Sequence, residues 1–452
     1  MPHLLSQIRI LIYRTIPQPV VRFIRRRILV PARRVLGPRI PIAMITGTSG
    51  KTTTTRMLAY VLEKAGHRVG YTSTGGIVIN GVHVSREDSS GYTGAKRVIN
   101  DSSITVAVLE VARGDLLRIG LYRNRSRAAA LLNVDREQIG IDGIATVAQM
   151  AELKKLVTDT ATEAVVLNAD DPQCIRFITS YPTRLLKLFS NDADNPVIKD
   201  HVDNDGIAYV VNSSVKGSII QRWAGTIKKD MLYIDQLPAC ANGIFPQNAL
   251  NVMAAAALAE GMQVPLETIT KALGEFENSP ELSPGRFNLI EDFSQTIIID
   301  HAVTVPACAS LSKSLKRISV DGSRICLLDG VGNRPDWHYT EIGQLLSSCF
   351  DQVICFENES YRRGRIPGEI TELFKESFVD AGLAAENFHP EPDIKGAFET
   401  LSRLVQYNDL IAILTCEGEP KNVLSLLQIS LERFLVKNDT NNRQKAPGNN
   451  PC

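Results

Sequence analysis

The sequence predicts an α/β protein: a mostly parallel sheet with helices on both faces, followed by a second, smaller doubly wound unit. Short apolar runs typical of buried strands alternate with helical patterns over most of the chain, which is the order expected of parallel sheets. A proline-rich stretch at residues 277–286 interrupts the alternation, which then resumes. At 452 residues the chain is long enough for two or three domains.

These patterns divide the chain into four parts. We predict a basic amphipathic arm at residues 1–39, a larger domain at 40–280, a smaller domain at 281–436 and a polar, disordered tail at 437–452. Strands of the smaller domain are expected near 296–300, 324–328, 352–356 and 410–415. Residues 190–240 carry short β-type runs separated by Asp, Asn and Gly, which predict a small antiparallel insert.

A glycine-rich turn between the first strand and the first helix predicts a phosphate-binding loop. Gly47 and Gly50 allow the backbone to curl around an anion, and the helix N-terminus adds positive potential. Lys51 is expected to reach the outer phosphates and Thr52 to offer a hydroxyl to Mg²⁺. The longer consensus places a glycine where this chain has Ile45, but the order of strand, loop and helix disfavours a chance glycine-rich turn. The predicted nucleotide-binding residues of the loop are Gly47, Thr48, Ser49, Gly50, Lys51, Thr52 and Thr53.

An acid ends the next buried strand, at residues 104–110. Parallel strands present functional groups at their C-terminal ends, so Glu110 is a candidate Mg²⁺ ligand. The alternative is an acid that caps the turn before a helix at residues 115–122.

Composition excludes several classes of protein. A net charge of +1 argues against an obligate nucleic-acid partner. Eight scattered cysteines without a C-x-x-C pair argue against zinc and against a disulfide framework, and favour reduced thiols in a cytoplasmic protein. No apolar run reaches the ~18–20 residues that a membrane span requires.

The first 39 residues carry nine arginines and no acid among interleaved apolar residues. Such a segment can lie on the inner face of an anionic membrane. It can equally dock on a partner protein, on its own domain or on a sister subunit. The sequence leaves these alternatives open.

Six further motifs give the chain a specific resemblance. It resembles the Mur ligase superfamily, and within it the Mur-ligase-like C-terminal half of cyanophycin synthetases, without their ATP-grasp half and without the UDP-sugar-binding domain of other Mur enzymes. The matching stretches lie between about residues 41 and 436 and include 47–56 (GTSGKTTTTR), 109–114 (LEVARG), 168–171 (NADD), 247–250 (QNAL), 284–286 (PGR) and 363–369 (RGRIPGE).

The resemblance implies a Mur-type ATPase domain followed by a Rossmann-like domain. It also implies an ATP- and Mg²⁺-dependent, ADP-forming amide ligase. In such a ligase a carboxylate of an amino acid or peptide becomes an acyl phosphate, which an amine then attacks. A homodimer is one assembly common in the family.

By position in these motifs, several residues acquire expected roles. Asn248 matches a residue near the adenine, and Arg286 matches one that reaches the nucleotide from the domain joint. Lys154 falls where the family often has a carbamylated lysine, although an ordinary exposed helical Lys154–Lys155 pair remains the alternative. The expected catalytic residues are Lys51, Lys154 and Asp300, and the expected metal ligands are Thr52, Glu110 and Gln138.

The chain also departs from the family pattern. Glu137-Gln138 replaces an Asp-His pair, residues 300–305 (DHAVTV) lack the family's histidine and asparagine, and Asn333 replaces an aspartate. The alternative function is therefore a nucleotide-binding partner subunit that has lost ligation. His301, which follows a strand, is either a general base or a packed side chain.

Overall fold

The computed structural model describes residues 40–136, 139–140, 142–215, 217–291, 294–302, 304–415 and 423–431. The predicted arm and tail lie outside these residues, as do Gln138 and Val303. In the described ranges the strands are β1 Ile42–Thr46, β2 Val69–Ser73, β3 Gly76–Ile79, β4 Val82–Ser85, β5 Val106–Glu110, β6 Ser126–Leu131, β7 Ala161–Asn168, β8 Leu186–Ser190, β9 Ile207–Ser214, β10 Gly217–Ala224, β11 Ile227–Tyr233, β12 Asn288–Ile290, β13 Thr296–Asp300, β14 Arg324–Leu328, β15 Gln352–Phe356, β16 Phe388–Glu391 and β17 Leu410–Leu414.

Helices alternate with most of these strands. They are α1 Lys51–Lys64, α2 Tyr92–Ile99, α3 Arg113–Arg118, α4 Val147–Thr158, α5 Pro172–Ile175, α6 Pro196–Asp203, α7 Ala249–Gly261, α8 Leu266–Glu275, α9 Val305–Leu315, α10 Asp336–Leu346, α11 Glu359–Arg362, α12 Glu369–Asp380 and α13 Ile394–Leu404. A further helix covers residues 423–431.

The strands form two sheets. The first has eleven strands in the order β11-β10-β9-β8-β7-β6-β1-β5-β2-β3-β4, and the second has six in the order β12-β13-β17-β14-β15-β16. Parallel pairing dominates both, and helices cover both faces. The predicted α/β class with a large and a smaller sheet is therefore confirmed, and all four strands expected in the smaller sheet are present.

The antiparallel pairing predicted for residues 190–240 is confirmed, but these strands do not form an insert of their own. Strands β9, β10 and β11 pair antiparallel with one another, but β9 also pairs parallel with β8, so all three extend the large sheet. The polar turns between them were read correctly. The register of β9 against β8 is a long-range pairing that a single strand's composition does not reveal.

The core of the first unit forms between the sheet and helices α1, α7 and α8. Helix α7 is apolar around nearly its whole circumference because it is buried among other elements on all sides. Its alanines allow close approach to the sheet: a Cβ added to Gly261 would lie 2.3 Å from the Cβ of Ala164.

The two units touch at a joint near residues 241–248 and 284–287. The rings of Phe245 and Phe287 stack with centroids 4.3 Å apart. Arg317, just after α9, donates to the carbonyl of Gly243 at 3.0 Å. The predicted domain boundary at residue 280 falls between α8 and β12, beside this joint.

None of the helices in the described ranges is both long and apolar enough to cross a bilayer. The six cysteines in those ranges are buried free thiols.

Candidate nucleotide and ligation site

Four neighbouring strands bring the predicted site together. Strands β6, β1, β5 and β2 are adjacent and parallel, so their C-terminal ends meet at one edge of the sheet. The phosphate loop follows β1, Glu110 ends β5, Asn133 follows β6, and Thr74 follows β2. The position agrees with the rule that parallel sheets bind ligands at this edge.

Asn133 shapes the phosphate loop, and the sequence did not single it out. Its Oδ1 accepts from the backbone N–H groups of Thr48 at 2.9 Å and Ser49 at 2.8 Å, and its Nδ2 donates to the carbonyl of Ser49 at 3.2 Å. The Thr48 hydroxyl in turn accepts from the N–H of Asp135 at 3.0 Å. The anion-facing donors of the loop are therefore the N–H groups at the N-terminus of α1, which have no intrahelical acceptor.

Lys51, Thr52 and Glu110 lie together at the start of α1. The Thr52 hydroxyl donates to Glu110 Oε2 at 2.9 Å, and Thr74 donates to the same carboxylate through its N–H at 3.1 Å and its hydroxyl at 2.9 Å. Lys51 Nζ donates to the carbonyl of Thr48 at 2.9 Å. Burial lowers the pKa of Lys51, while the Glu110 carboxylate favours its charged form.

The donors beside the loop fit a hard divalent cation. A hydroxyl and a carboxylate within hydrogen-bond distance of each other are the oxygen ligands that Mg²⁺ takes, with nucleotide and water oxygens completing its shell. In the described part of the chain, no group of three or more His, Cys, Asp or Glu side chains could hold a metal. Thr52 and Glu110 would thus hold the cation jointly with the nucleotide.

Lys154 is buried and not an exposed helical residue. It is 3% exposed, and its Nζ donates to the carbonyl of Gly47 at 2.7 Å, directly beneath the phosphate loop. Burial, reinforced by nearby Lys51, lowers the pKa of Lys154 well below its usual value. The alternative of an exposed Lys154–Lys155 pair was wrong for Lys154.

Two arginines, Arg56 buried and Arg286 partly buried, connect the loop with the second unit. Arg286 Nη2 contacts the Thr52 hydroxyl at 3.4 Å, so a residue from the joint reaches the predicted metal ligand. Arg56, on α1, donates to the carbonyl of Pro284 at 3.3 Å. Burial lowers the pKa of both guanidinium groups, that of Arg56 to about 10, and Arg286 lowers the Arg56 value further. With Lys51, these arginines place three cationic side chains near Glu110, while Asp88 also acts on Lys51 and Asp300 on Arg286. Such a cluster of cations suits phosphates.

Asn248 lies behind the phosphate loop. Its Nδ2 donates to the carbonyl of Ala239 at 2.6 Å, and its Oδ1 accepts from Asn251 at 2.7 Å. Asn251 then accepts from the Thr54 hydroxyl at 3.3 Å. Asn248 is 1% exposed, so its side chain anchors the start of α7, and its predicted contact with adenine stays a prediction.

Gly50 is the loop position with the strictest conformational requirement. Its φ is +81°, and a Cβ there would lie 2.2 Å from Oδ1 of Asn251. We expect Gly50→Ala to lose about 1–2 kcal/mol of stability from the left-handed backbone alone. Because the loop must also move away from Asn251, we expect at least a tenfold loss of ATP affinity by calorimetry.

Gly66 provides the matched control for that substitution. Its φ is +86°, but a Cβ there meets nothing within 4 Å. Gly66→Ala should therefore lower the melting temperature, because its backbone is strained, but leave the affinity for ATP unchanged. Equal ATP affinity in both variants would contradict the role of Gly50.

The end of β13 carries Asp300 and His301. Oδ1 of Asp300 accepts from the N–H groups of Phe287 at 3.2 Å and His301 at 2.8 Å. Burial raises the pKa of Asp300 to about 6, against the opposing effect of Arg286. Burial lowers the pKa of His301 to about 3, so its ring is neutral at pH 7. Its Nδ1 lies 2.9 Å from the carbonyl of Thr415, which requires the proton on Nδ1.

The structure thus gathers Lys51, Thr52, Glu110, Lys154 and Arg286 around one loop. Asn133, Thr74 and Arg56 complete this cluster, and the sequence analysis missed them. The available signal was the placement of Asn133 and Thr74 just after buried parallel strands, the same signal that identified Glu110.

The chain is similar in sequence to a known domain family and to known proteins. Residues 45–259 match the Mur ligase middle domain family. The chain is 34% identical over 371 residues to the cyanophycin synthetase of Synechocystis sp., covering 80% of this chain and 41% of the relative. It is 32% identical over 407 residues to the cyanophycin synthetase of Geminocystis herdmanii, covering 89% of this chain and 44% of the relative. Residues 45–259 therefore belong to the Mur ligase middle domain family. The chain spans about two fifths of the length of these relatives.

Solved structures share the fold of this chain. The folylpolyglutamate synthase of Mycobacterium tuberculosis, complexed with ADP, aligns with a TM-score of 0.62 at 17% identity, over 94% of this chain and 98% of that one. At this identity the likeness concerns the fold alone.

Proposed function

We propose that the chain is an ATP-dependent, ADP-forming amide ligase that activates a carboxylate of an amino acid or peptide and joins it to an amine. The observation that carries the proposal is the contact of Arg286, from the joint, with Thr52 on the phosphate loop, beside Glu110. A nucleotide bound there lies between the two units, where a second substrate can approach its terminal phosphate. The cyanophycin synthetases that the chain resembles support the same activity.

The chain's own residues perform the steps of positioning and charge neutralisation. The α1 N-terminus and Lys51 bind the phosphates, and Thr52 with Glu110 would hold Mg²⁺, which neutralises phosphate charge. Arg286 stabilises the charge that develops as the substrate carboxylate oxygen bonds to the γ-phosphorus and the bond to ADP breaks. The amine then attacks the acyl carbon, phosphate leaves, and the amine loses a proton. We propose that Asp300, which is largely ionised at neutral pH, lies near the incoming amine.

Lys154 is proposed to carry a carbamate. Its depressed pKa favours the neutral amine, whose nitrogen can bond to the carbon of CO₂ with loss of one proton. The product places a negative charge beside Lys51. We expect a carbamate carbon signal in ¹³C NMR after equilibration with ¹³C-bicarbonate, absent in Lys154→Arg. An identical spectrum from both proteins would contradict the modification.

The experiment that tests the proposed function measures phosphate and ADP release by the purified chain. Mg·ATP is supplied with pairs drawn from a panel of amino acids and short acidic peptides, and Lys51→Ala serves as control. We expect release that requires both a carboxylate and an amine substrate and is lost in the variant. ATP binding without turnover for every pair would contradict ligation and favour the nucleotide-binding partner.

A further inference from the structure

A second contact joins the two units, away from the joint. Arg136, in the segment after β6, forms an ion pair with Glu341 on α10. Its guanidinium carbon also lies 4.2 Å from the centre of the Trp337 ring, one turn earlier on the same helix. A single arginine side chain therefore makes a charge contact and a cation–π contact across the two units.

Hydrogen bonds hold both ends of this contact in place. On one side, Arg136 directly follows Asp135, whose N–H donates to the Thr48 hydroxyl of the phosphate loop. On the other side, Arg365 fixes the start of α10: it donates to Asp336 at 2.6 Å, to Glu369 at 2.5 Å and to the carbonyl of Arg334 at 2.8 Å. Movement of the phosphate loop and movement of α10 are thus linked through few intervening bonds.

We propose that Arg136 is a positioning residue that holds the second unit over the phosphate loop. This proposal rests on the proposed function. In that function, Arg286 and Asp300 of the second unit must face Thr52 and Glu110 of the first unit. Arg136 is half exposed, and contacts of this kind contribute modestly. An ion pair and a cation–π contact together favour the closed arrangement by about tenfold, which holds the units together while allowing release of product.

The first test compares ATP affinity with turnover. Arg136→Ala should lower kcat about tenfold and leave the Kd for ATP within about twofold, because the loop and α1 are unchanged. Arg136→Lys, which keeps the charge but not the planar stacking, should recover part of the loss. The matched control is Arg176→Ala, which removes an exposed arginine near the ring of Phe177 within the first unit. It should change neither quantity.

The second test needs no turnover, so it separates this inference from the proposed function. The chain has two tryptophans, and Trp223→Phe leaves Trp337 as the sole emitter. In that background, we expect Arg136→Ala to change the emission of Trp337 and to raise the radius of gyration measured by small-angle X-ray scattering. Glu341→Arg should act in the same direction. The exchanged pair Arg136→Glu with Glu341→Arg should restore the compact state in part, because it re-forms the ion pair but not the contact of Arg136 with Trp337.

Superimposable scattering and emission for the wild type and Arg136→Ala would overturn the proposal, whatever the activity of the wild type. So would an equal loss of ATP affinity and turnover in Arg136→Ala, because that result places Arg136 in nucleotide binding. If ligation is not found but the scattering and emission change as expected, the proposed function fails and the positioning contact stands.

Discussion

Glu110→Gln is expected to reduce ATP-dependent turnover by about 10²-fold or more. The substitution preserves the shape of the side chain but removes the charge that would bind Mg²⁺. It also leaves one carbonyl oxygen where the Thr52 hydroxyl and two donors of Thr74 now share a carboxylate. We therefore also expect a higher Mg²⁺ concentration for half-maximal activity. The measurement is the Mg²⁺ dependence of initial rates at saturating ATP.

Glu163→Gln is the matched control for this prediction. Glu163 is an exposed acid near the opposite end of a parallel strand, β7. Its loss should leave both the rate and the Mg²⁺ dependence unchanged. If Glu110→Gln keeps the wild-type Mg²⁺ dependence, the carboxylate is a structural cap and the metal site lies elsewhere.

Arg286→Ala is expected to lower turnover by about 10²- to 10³-fold, because it removes a preorganised cation from the reacting phosphate. ATP binding should change far less, since the loop and Lys51 remain. Arg286 lies near two other cations, Lys51 and Arg56, and lowers the pKa of each, but its charge also favours the ionised form of Asp300. Its removal relieves the repulsion and loses the attraction, so we expect only a small change in melting temperature.

Kinetics, calorimetry and thermal melting of one preparation separate the effects of Arg286→Ala on turnover, on ATP binding and on stability. The exposed Arg184 offers the comparison: Arg184→Ala should behave as the wild type in all three measurements. A variant Arg286→Ala that melts several degrees earlier and loses activity in proportion would show a structural role instead.

Local features of the site could be predicted from the sequence, and long-range contacts could not. The strand, glycine-rich turn and helix of the phosphate loop are contiguous, so their order is visible in residues 42–64. Glu110 was identified because a buried strand ends there and parallel strands share an edge. The contact between Arg286 and Thr52 joins residues far apart in the chain, and the family resemblance indicated only that Arg286 reaches the nucleotide from the joint.

Several features of the structure depend on tertiary contacts and cannot be predicted from local sequence patterns. The amide of Asn133 binds two N–H groups of a loop that precedes it by more than eighty residues. Lys154 is a charged residue on a helix, which by itself is compatible with exposure, yet the helix packs so that its Nζ donates to the carbonyl of Gly47. Strands β9–β11 were predicted as a unit, but their attachment to β8 depends on pairing across the sheet.

The central claim is that phosphate passes from ATP to a substrate carboxylate before the amide forms. The most direct test supplies the carboxylate substrate labelled with ¹⁸O and analyses the released phosphate by mass spectrometry. Transfer through an acyl phosphate moves one substrate oxygen into each phosphate, so we predict singly labelled phosphate in amounts equal to the amide formed. Unlabelled phosphate would contradict the account, because it would mean that water, and not the carboxylate, attacks ATP.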